Sequence, residues 1–456
     1  MNILNRNINR RDVLRLGTQT MASASLMATL GSLQTAMAAS DTTGYKALVC
    51  VFLAGGNDSY NWLVPQSDAA YSEYANSRKN LALAKADLLA ITPTNTGSAL
   101  YGLHPACTEI QSLFEAGKAA FVVNNGPLVQ PTTLAQYQAD SVPLPYQLFS
   151  HSDQQALTQT CIANSTERYG WAGRTADLLN SQGFRQPLAM NVSINGNNIF
   201  QGGRETVFYN IGANGAPEMN IYKDTGYRQG KRRALFLELL RQSGNDASLL
   251  EKEFGGTLTR SYQTAETVNT ALKSVPALTT SFGSDSLSKQ LKMAAQMVRA
   301  RDALGVKRQV FFVQLGGWDF HDTMLADQAS KLAELSKALK SFQDALAEIN
   351  AENLVTSFVS SEFGRTLTSN GDGSDHGWGG HTLVFGGGVQ GRRFYGSYPS
   401  LALKGASDTG RGALLPGTST DQVAATLAQW FGVSNGDLDT VFPNLRNFSQ
   451  RNLGFV

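Results

Sequence analysis

Glu362, Arg365, Asp375, His376 and His381 fall close together in the chain, and the segment 371–381 carries five glycines in eleven residues. Such a loop has little side-chain bulk to bury, while glycine lets the main chain turn with positive φ and approach a ligand closely. Carboxylate with imidazole and no thiolate suits one or two divalent ions of the Zn, Mn or Fe type. The alternative is a polar surface loop whose Asp and His bond to turn amides. A β-branched and aromatic run, Leu354 to Val359, leads into this stretch and breaks at Ser360-Ser361. Glu362 and Arg365 therefore stand just past a strand end, where open parallel sheets bind ligands.

Three other places repeat the pattern. The apolar run from Tyr45 to Leu53 ends in Gly55-Gly56-Asn57-Asp58, so Asp58 is either a ligand or the cap of the next helix or turn. Gln309 to Leu315 delivers Asp319 and His321 to a strand end, and side chains two apart on extended chain point the same way. Around 150, Ser152 with Gln155 forms a capping-box pattern that starts a helix. The free amides of a helix start stabilise anions, and Ser150 just upstream is a candidate nucleophile if a metal lowers its hydroxyl pKa. Four of the five histidines, at 151, 321, 376 and 381, thus sit in strand-end or Gly-rich loops with acids; His104 reads as a structural residue at a helix start.

The elements that must position these groups alternate. Short buried strands are predicted at 45–53, 119–123, 309–315, 354–359 and 382–385, with helices at 106–116, 286–304, 323–350 and 420–430. Strand, long helix and strand from 309 to 359 form a crossover unit. The fold class that follows is α/β, a doubly wound, mostly parallel sheet flanked by helices. Residues 195 to 285 read as an insertion or cap.

With 456 residues, 16% of them charged, and a net charge of +2, no stripe of Lys and Arg interleaved with aromatics appears, so nucleic acid is not an expected partner. Arg10-Arg11 in NRRDVLRL, followed by an Ala/Leu/Met/Ser-rich region and Ala36-Met37-Ala38, reads as a twin-arginine export signal over residues 1–38. The expectation is an exported or periplasmic protein, a client of the twin-arginine export machinery, with one domain over 39–456. The apolar stretch is too diluted by polar residues for a stable membrane span. Of three cysteines, Cys50 falls in a strand, which leaves Cys107 and Cys161 as the one pair worth testing for a disulfide.

The motifs AGGNDSYN (54–61), SHSDQQ (150–155), GGWDFH (316–321) and EFGRT followed by SDHGWGGHTLVFGGGVQG resemble the exported bacterial family called domain of unknown function 1501. That family looks like a member of the alkaline phosphatase and sulfatase superfamily, with a two-metal site at the strand ends. The resemblance implies metal ligands at Asp58, Asp319, His321, Glu362 and His376, and a nucleophile at Ser150. Asp319-x-His321 is closer spaced than the usual superfamily pair, Glu362 is followed by Phe363 rather than histidine, and Gln154 stands where an arginine follows a sulfatase nucleophile.

The expected function is metal-dependent hydrolysis of a phosphate or sulfate ester, or a related transfer, on a small-molecule or polymer substrate. In that scheme Asp375 and His381 support the ligands or move protons, and Arg365 steadies the anion. The rival, favoured by the missing histidine after Glu362, is a non-catalytic binding or scaffold protein on the same fold that serves an envelope partner.

Overall fold

The computed structural model describes residues 40–216, 227–243 and 248–456. The export signal expected over 1–38 lies outside the described residues. Among them, no helix is long and apolar enough to cross a membrane.

The main sheet is built from Lys46–Ala54 (β1), Ala119–Gly126 (β2), Asn191–Ser193 (β3), Tyr209–Asn210 (β4), Arg308–Gly316 (β5) and Val355–Ser361 (β6). Two short strands, Arg365–Ser369 (β7) and Ser374–His376 (β8), form a separate hairpin; Gly380–Phe385 (β9), Phe394–Tyr395 (β10) and Thr418–Ser419 (β11) return to the main sheet. Its order is β10-β2-β9-β6-β1-β5-β3-β4, with β11 beside β2. β1 is parallel to both β5 and β6, while β9 runs antiparallel to β6 and β2.

Alternate residues of β1 fill opposite faces. Ala47, Val49, Val51 and Leu53 enter one core with Thr108–Glu115 (α1), and Leu48, Cys50 and Phe52 enter the other with Trp171 and Ala172. His151–Thr160 (α2), Trp171–Ser181 (α3) and Tyr227–Ser243 (α4) follow α1 in the chain. After them come Leu249–Ser274 (α5), Ser286–Arg299 (α6), Met324–Glu348 (α7) and Thr420–Phe431 (α8). α6 and α7 cover the first face, and α3 and α8 the second. A continuous apolar strand needs such cover on both sides, which is why β1 lacks polar alternation.

Two details differ from the sequence reading. The 195–285 stretch contributes the edge strand β4 to the main sheet, and its outlying part is the helical pair α4–α5. All three cysteines are free and buried, with Cys107 in one core and Cys161 in the other, so the sheet separates the two candidates for a disulfide.

α8 starts at Ser419, whose side chain forms a capping box with Gln422. Asp421 in its first turn is buried, and burial pushes its carboxyl up to about 7 against the opposing pull of the Ser419 hydroxyl and the Arg174 charge. Because this folded value exceeds the unfolded one of about 4, the protonated form stabilises the fold below about pH 4, and that contribution is lost as pH rises through about 7. The full swing is about 4 kcal/mol. Asp421→Asn is therefore expected to gain about 4 kcal/mol on the parent between about pH 4 and pH 8 in urea unfolding. A difference that stays constant with pH would contradict this.

Candidate metal centre

Since β1, β5 and β6 are parallel neighbours, their C-terminal ends open onto one edge of the sheet. β5 leads there into Asp319 and His321, and β6 into Glu362 and Arg365. Gly55, at the exit of β1, has φ +128°, and a Cβ on it would lie 2.5 Å from the Asp319 backbone nitrogen. Gly373 is as tight: its Cβ would meet the His321 carbonyl carbon at 2.3 Å. Only glycine lets these loops close on one another.

The group at the centre is Asp319. Its Oδ2 lies 3.4 Å from His151 Nε2, and its Oδ1 lies 3.0 Å from His321 Nε2 and 3.4 Å from His376 Nε2. His321 Nε2 and His376 Nε2 are 3.0 Å apart. One ligand atom from each of His151, Asp319 and His376 lies within 4.8 Å of the other two.

The outer nitrogens of these rings are held. His376 Nδ1 is 2.7 Å from the Phe149 carbonyl, and His151 Nδ1 is 3.0 Å from Glu362 Oε1. Both partners only accept, so each Nδ1 carries a proton and each Nε2 is turned toward the Asp319 carboxylate. An Nε2 facing a carboxylate at 3.4 Å is favourable only with a proton or a cation between them. Ligand atoms about 2.1 Å from one cation at tetrahedral angles stand about 3.4 Å apart, so the donor set fits a metal. Holding the second ring nitrogen is how proteins orient histidine ligands. His321 Nδ1 faces Asp375 Oδ1 at 3.4 Å, and Asp375 is paired with Arg411.

Local backbone brings His151 into place. Phe149 takes φ +73° and Gln147 φ +46°, unusual for side-chain-bearing residues. The turn aims the Phe149 carbonyl at His376, and α2 begins with Ser150 as its N-cap. The helix thus starts two residues before the position expected from Ser152 and Gln155. The Ser150 hydroxyl donates to Asp153 Oδ2 at 2.8 Å instead of accepting a helix amide. Phe363 packs its ring on both His151 and His376, 4.9 and 4.7 Å between centroids, and walls the cluster on one side.

Asp319 is held below the ordinary carboxylate range. Burial, the largest effect, pushes it up, but the Arg365 hydrogen bond and charge together with His321 and His151 outweigh that. His376 is held below the usual imidazole value, first by burial and then by the neighbouring His151 and Arg365 charges, against the pull of the Phe149 carbonyl and Asp319. Asp319 is thereby kept ionised and His376 kept neutral, the states in which each donates to a cation.

The remaining candidates make other contacts in this structure. Arg365 is fully buried; it donates to the carbonyls of Ser374 and Gly55 and to Asp319 Oδ1 at 2.9 Å, so it fixes Asp319 and does not reach outward. Glu362 is buried beneath His151 and accepts from Gly55 N, Gln155 Nε2 and Ser361 Oγ. Asp58 is buried too: it caps the short helix Ser59–Trp62 and pairs with Arg78 Nη2 at 2.6 Å. His381 Nδ1 accepts from Asn124 N, its ring packs on Tyr60 and Tyr398, and burial lowers it to about 3. Neither Asp58 nor His381 is among the groups that converge on Asp319. His104 is buried and lowered to about 4, in keeping with a structural role.

His151 is one of the loop histidines of the sequence but not one of the ligands that the family resemblance implies. Its signal was there, next to Ser150 at a helix start, and the competing capping pattern masked it. Arg78 gave no signal at all, since its partner Asp58 is twenty residues away.

A family model described as "Protein of unknown function (DUF1501)" matches residues 45–411, more than half of the chain. The chain belongs to the DUF1501 family. The matched region contains every residue of this DUF1501 centre, from His151 to His376. No curated protein matches the sequence. Among solved structures, the chain is similar to Ps i-CgsB in complex with k-i-k-neocarrahexaose, at 11% identity and TM-score 0.36, covering 89% of this chain and 77% of that one. It is also similar to the lipoteichoic acid synthase LtaP from Listeria monocytogenes, at 8% identity and TM-score 0.35, covering 87% and 73%. BT1596, a 2-O GAG sulfatase, follows at 10% identity and TM-score 0.28, covering 77% and 66%. These likenesses are distant; the strand order itself defines the fold.

Proposed function

We propose that this DUF1501 protein binds a divalent cation of the Zn, Mn or Fe type through His151, Asp319 and His376, with His321 beside them, and hydrolyses a phosphate or sulfate ester there. The observation that carries the reading is the pair of Nε2 atoms 3.4 Å from the Asp319 carboxylate oxygens while both outer nitrogens are held. The bound cation would supply Lewis-acid stabilisation of the ester's charged oxygens. The rest is the chain's own work. Arg365 fixes Asp319, Glu362 fixes His151 and the Phe149 carbonyl fixes His376.

Ser150 is the nucleophile in this reading. Its Oγ–H already donates to Asp153 Oδ2, which would receive the proton as the Oγ bond to phosphorus or sulfur forms and the bond to the leaving oxygen breaks, that oxygen taking a proton from water; a second water would then displace Oγ and release the inorganic anion, Oγ recovering its proton from Asp153. Gln154 N closes the first turn of α2 onto the Ser150 carbonyl, so the preceding amides are left to face an anion. The reading has the reaction take place after twin-arginine export, in the periplasm.

Ser150→Ala is expected to lower turnover of a phosphate or sulfate ester by about a thousandfold or more while metal content stays unchanged. The rival reading, a binding or scaffold protein for an envelope partner, draws on the burial of Arg365 and Asp58, which leaves neither to grasp an anion or a second cation. If no ester is turned over by the metal-loaded parent, and Ser150→Ala changes nothing, the rival stands.

A further inference from the structure

With Arg365 buried beneath Asp319, an anion at the metal centre meets no guanidinium from that side. Another guanidinium stands exposed at the rim. Arg411 pairs through Nη2 with Asp375 Oδ2, and the other oxygen of that carboxylate lies 3.4 Å from His321 Nδ1. The Arg411 side chain is 65% exposed, and among the described residues its Nη1 and Nε meet no acceptor.

The turn that carries Arg411 is held from both sides. Arg411 takes φ +57° between Gly410 and Gly412, which also have positive φ. The buried Asp408 carboxylate accepts from Lys404 N at 2.7 Å, Gly410 N at 2.8 Å and Gly412 N at 2.7 Å. On the other side, Thr368 of β7 donates to the Arg411 carbonyl through its amide and its hydroxyl, and Leu367 N donates to the Gly412 carbonyl. A Cβ on Gly412 would lie 2.5 Å from Leu367 Cβ, so the turn sits flat on the strand. β7 pairs with β8, which ends in His376, and one hairpin thus fixes Arg411 relative to the metal centre.

Stability alone does not account for an arginine here. A side chain in the left-handed conformation costs about 1 kcal/mol against glycine, and an ion pair this exposed returns about 1 kcal/mol at most. What arginine adds is a planar fork with donors to spare, which takes phosphate, sulfate or carboxylate two oxygens at a time. Asp375 bridges Arg411 and His321, so the guanidinium lies one carboxylate beyond the imidazole. Two contacts of about 3 Å and a carboxylate's width put roughly 5 to 10 Å between it and a cation held by the cluster. That is too far to share the oxygens of the reacting group, and it suits a second anionic group on the same substrate. Asp322 and Asp372 are exposed on the adjoining loops and repel an anion, which leaves the cation and Arg411 as its two points of attachment.

We infer, on the basis of the ester chemistry proposed for this centre, that Arg411 determines specificity: the substrate carries a second phosphate, sulfate or carboxylate about 5 to 10 Å from the group that reacts, as a polyanionic oligomer does. The test is calorimetric titration of the mature full chain, with its metal content measured alongside, using tetramethylene diphosphonate and butylphosphonate, whose C–P bonds do not hydrolyse. The parent should bind the diphosphonate about tenfold more tightly, and Arg411→Met should remove that preference while butylphosphonate affinity, metal content and thermal midpoint stay at the parent's values. Arg411→Lys should keep part of the preference. Equal binding of the two probes by the parent, or binding of neither, would overturn the inference. So would an Arg411→Met variant that loses affinity for both alike or loses metal, as a residue that only steadies His321 through Asp375 would. A preference that depends on Arg411 in a protein that turns over no ester would keep Arg411 as the anion-binding residue and sink the hydrolysis reading; ester turnover with no such preference would do the reverse.

Discussion

Asp319→Ala is expected to abolish both metal uptake and ester turnover. The carboxylate touches all three imidazoles, between 3.0 and 3.4 Å, so no other side chain replaces its charge at the centre of the cluster. Without it, His151 and His376 keep their orientation, because Glu362 and the Phe149 carbonyl hold their outer nitrogens. Two neutral rings alone bind a divalent ion far more weakly, and turnover should fall by about a thousandfold or more. The fold should survive. The Arg365 contact with Asp319 involves a carboxylate that is 45% exposed, so solvent screening limits its worth to about 1 kcal/mol, and Arg365 retains its carbonyl partners. The check is elemental analysis of the purified variant alongside its unfolding curve. A folded Asp319→Ala protein that keeps its metal would show that the cation binds elsewhere.

The second large effect falls on stability. Arg78→Met is expected to cost about 3 to 5 kcal/mol, because it strands the fully buried Asp58 carboxylate without its cation. Among the described residues, Asp58 Oδ2 would keep only the Ser374 hydroxyl at 3.2 Å, and its Oδ1 only Asn61 N at 3.3 Å. The same substitution removes donors from the Thr366 and Leu367 carbonyls in β7. β7 pairs Arg365 with His376 of β8, so this loss reaches the metal centre only through the hairpin. Urea unfolding of Arg78→Met and Asp58→Asn, with metal content on the folded fraction, separates the two roles open to Asp58. If Asp58→Asn costs stability and leaves the metal in place, Asp58 is structural. Loss of metal from a fully folded Asp58→Asn protein would restore it to the ligand set.

The framework was legible because β1, β5 and β6 are continuous apolar runs that stop at glycine or serine, and long buried strands need helices on both faces. β9 was legible as a strand but not in direction, since an apolar run reads the same either way and its antiparallel sense is decided by partners far off in sequence. Asp319, His321 and His376 stood out by residue type and loop position. Glu362 and Arg365 stood out equally, but their burial, which turns one into the support of His151 and the other into the clamp of Asp319, is a tertiary fact. His151 was obscured by local competition: Ser152 with Gln155 is a sound capping box, and it lost to Ser150 once the Phe149 carbonyl had turned toward His376.

Metal content tests most directly whether a cation sits among His151, Asp319 and His376. The folded mature protein would be purified from its native compartment without added metal or chelator, and its Zn, Mn and Fe measured per chain next to a His151→Ala/His376→Ala variant. About one equivalent in the parent and none in the variant is the result this account requires. A metal-free parent whose thermal midpoint does not rise on adding Zn, Mn or Fe would contradict it, as would a folded variant that retains the parent's metal.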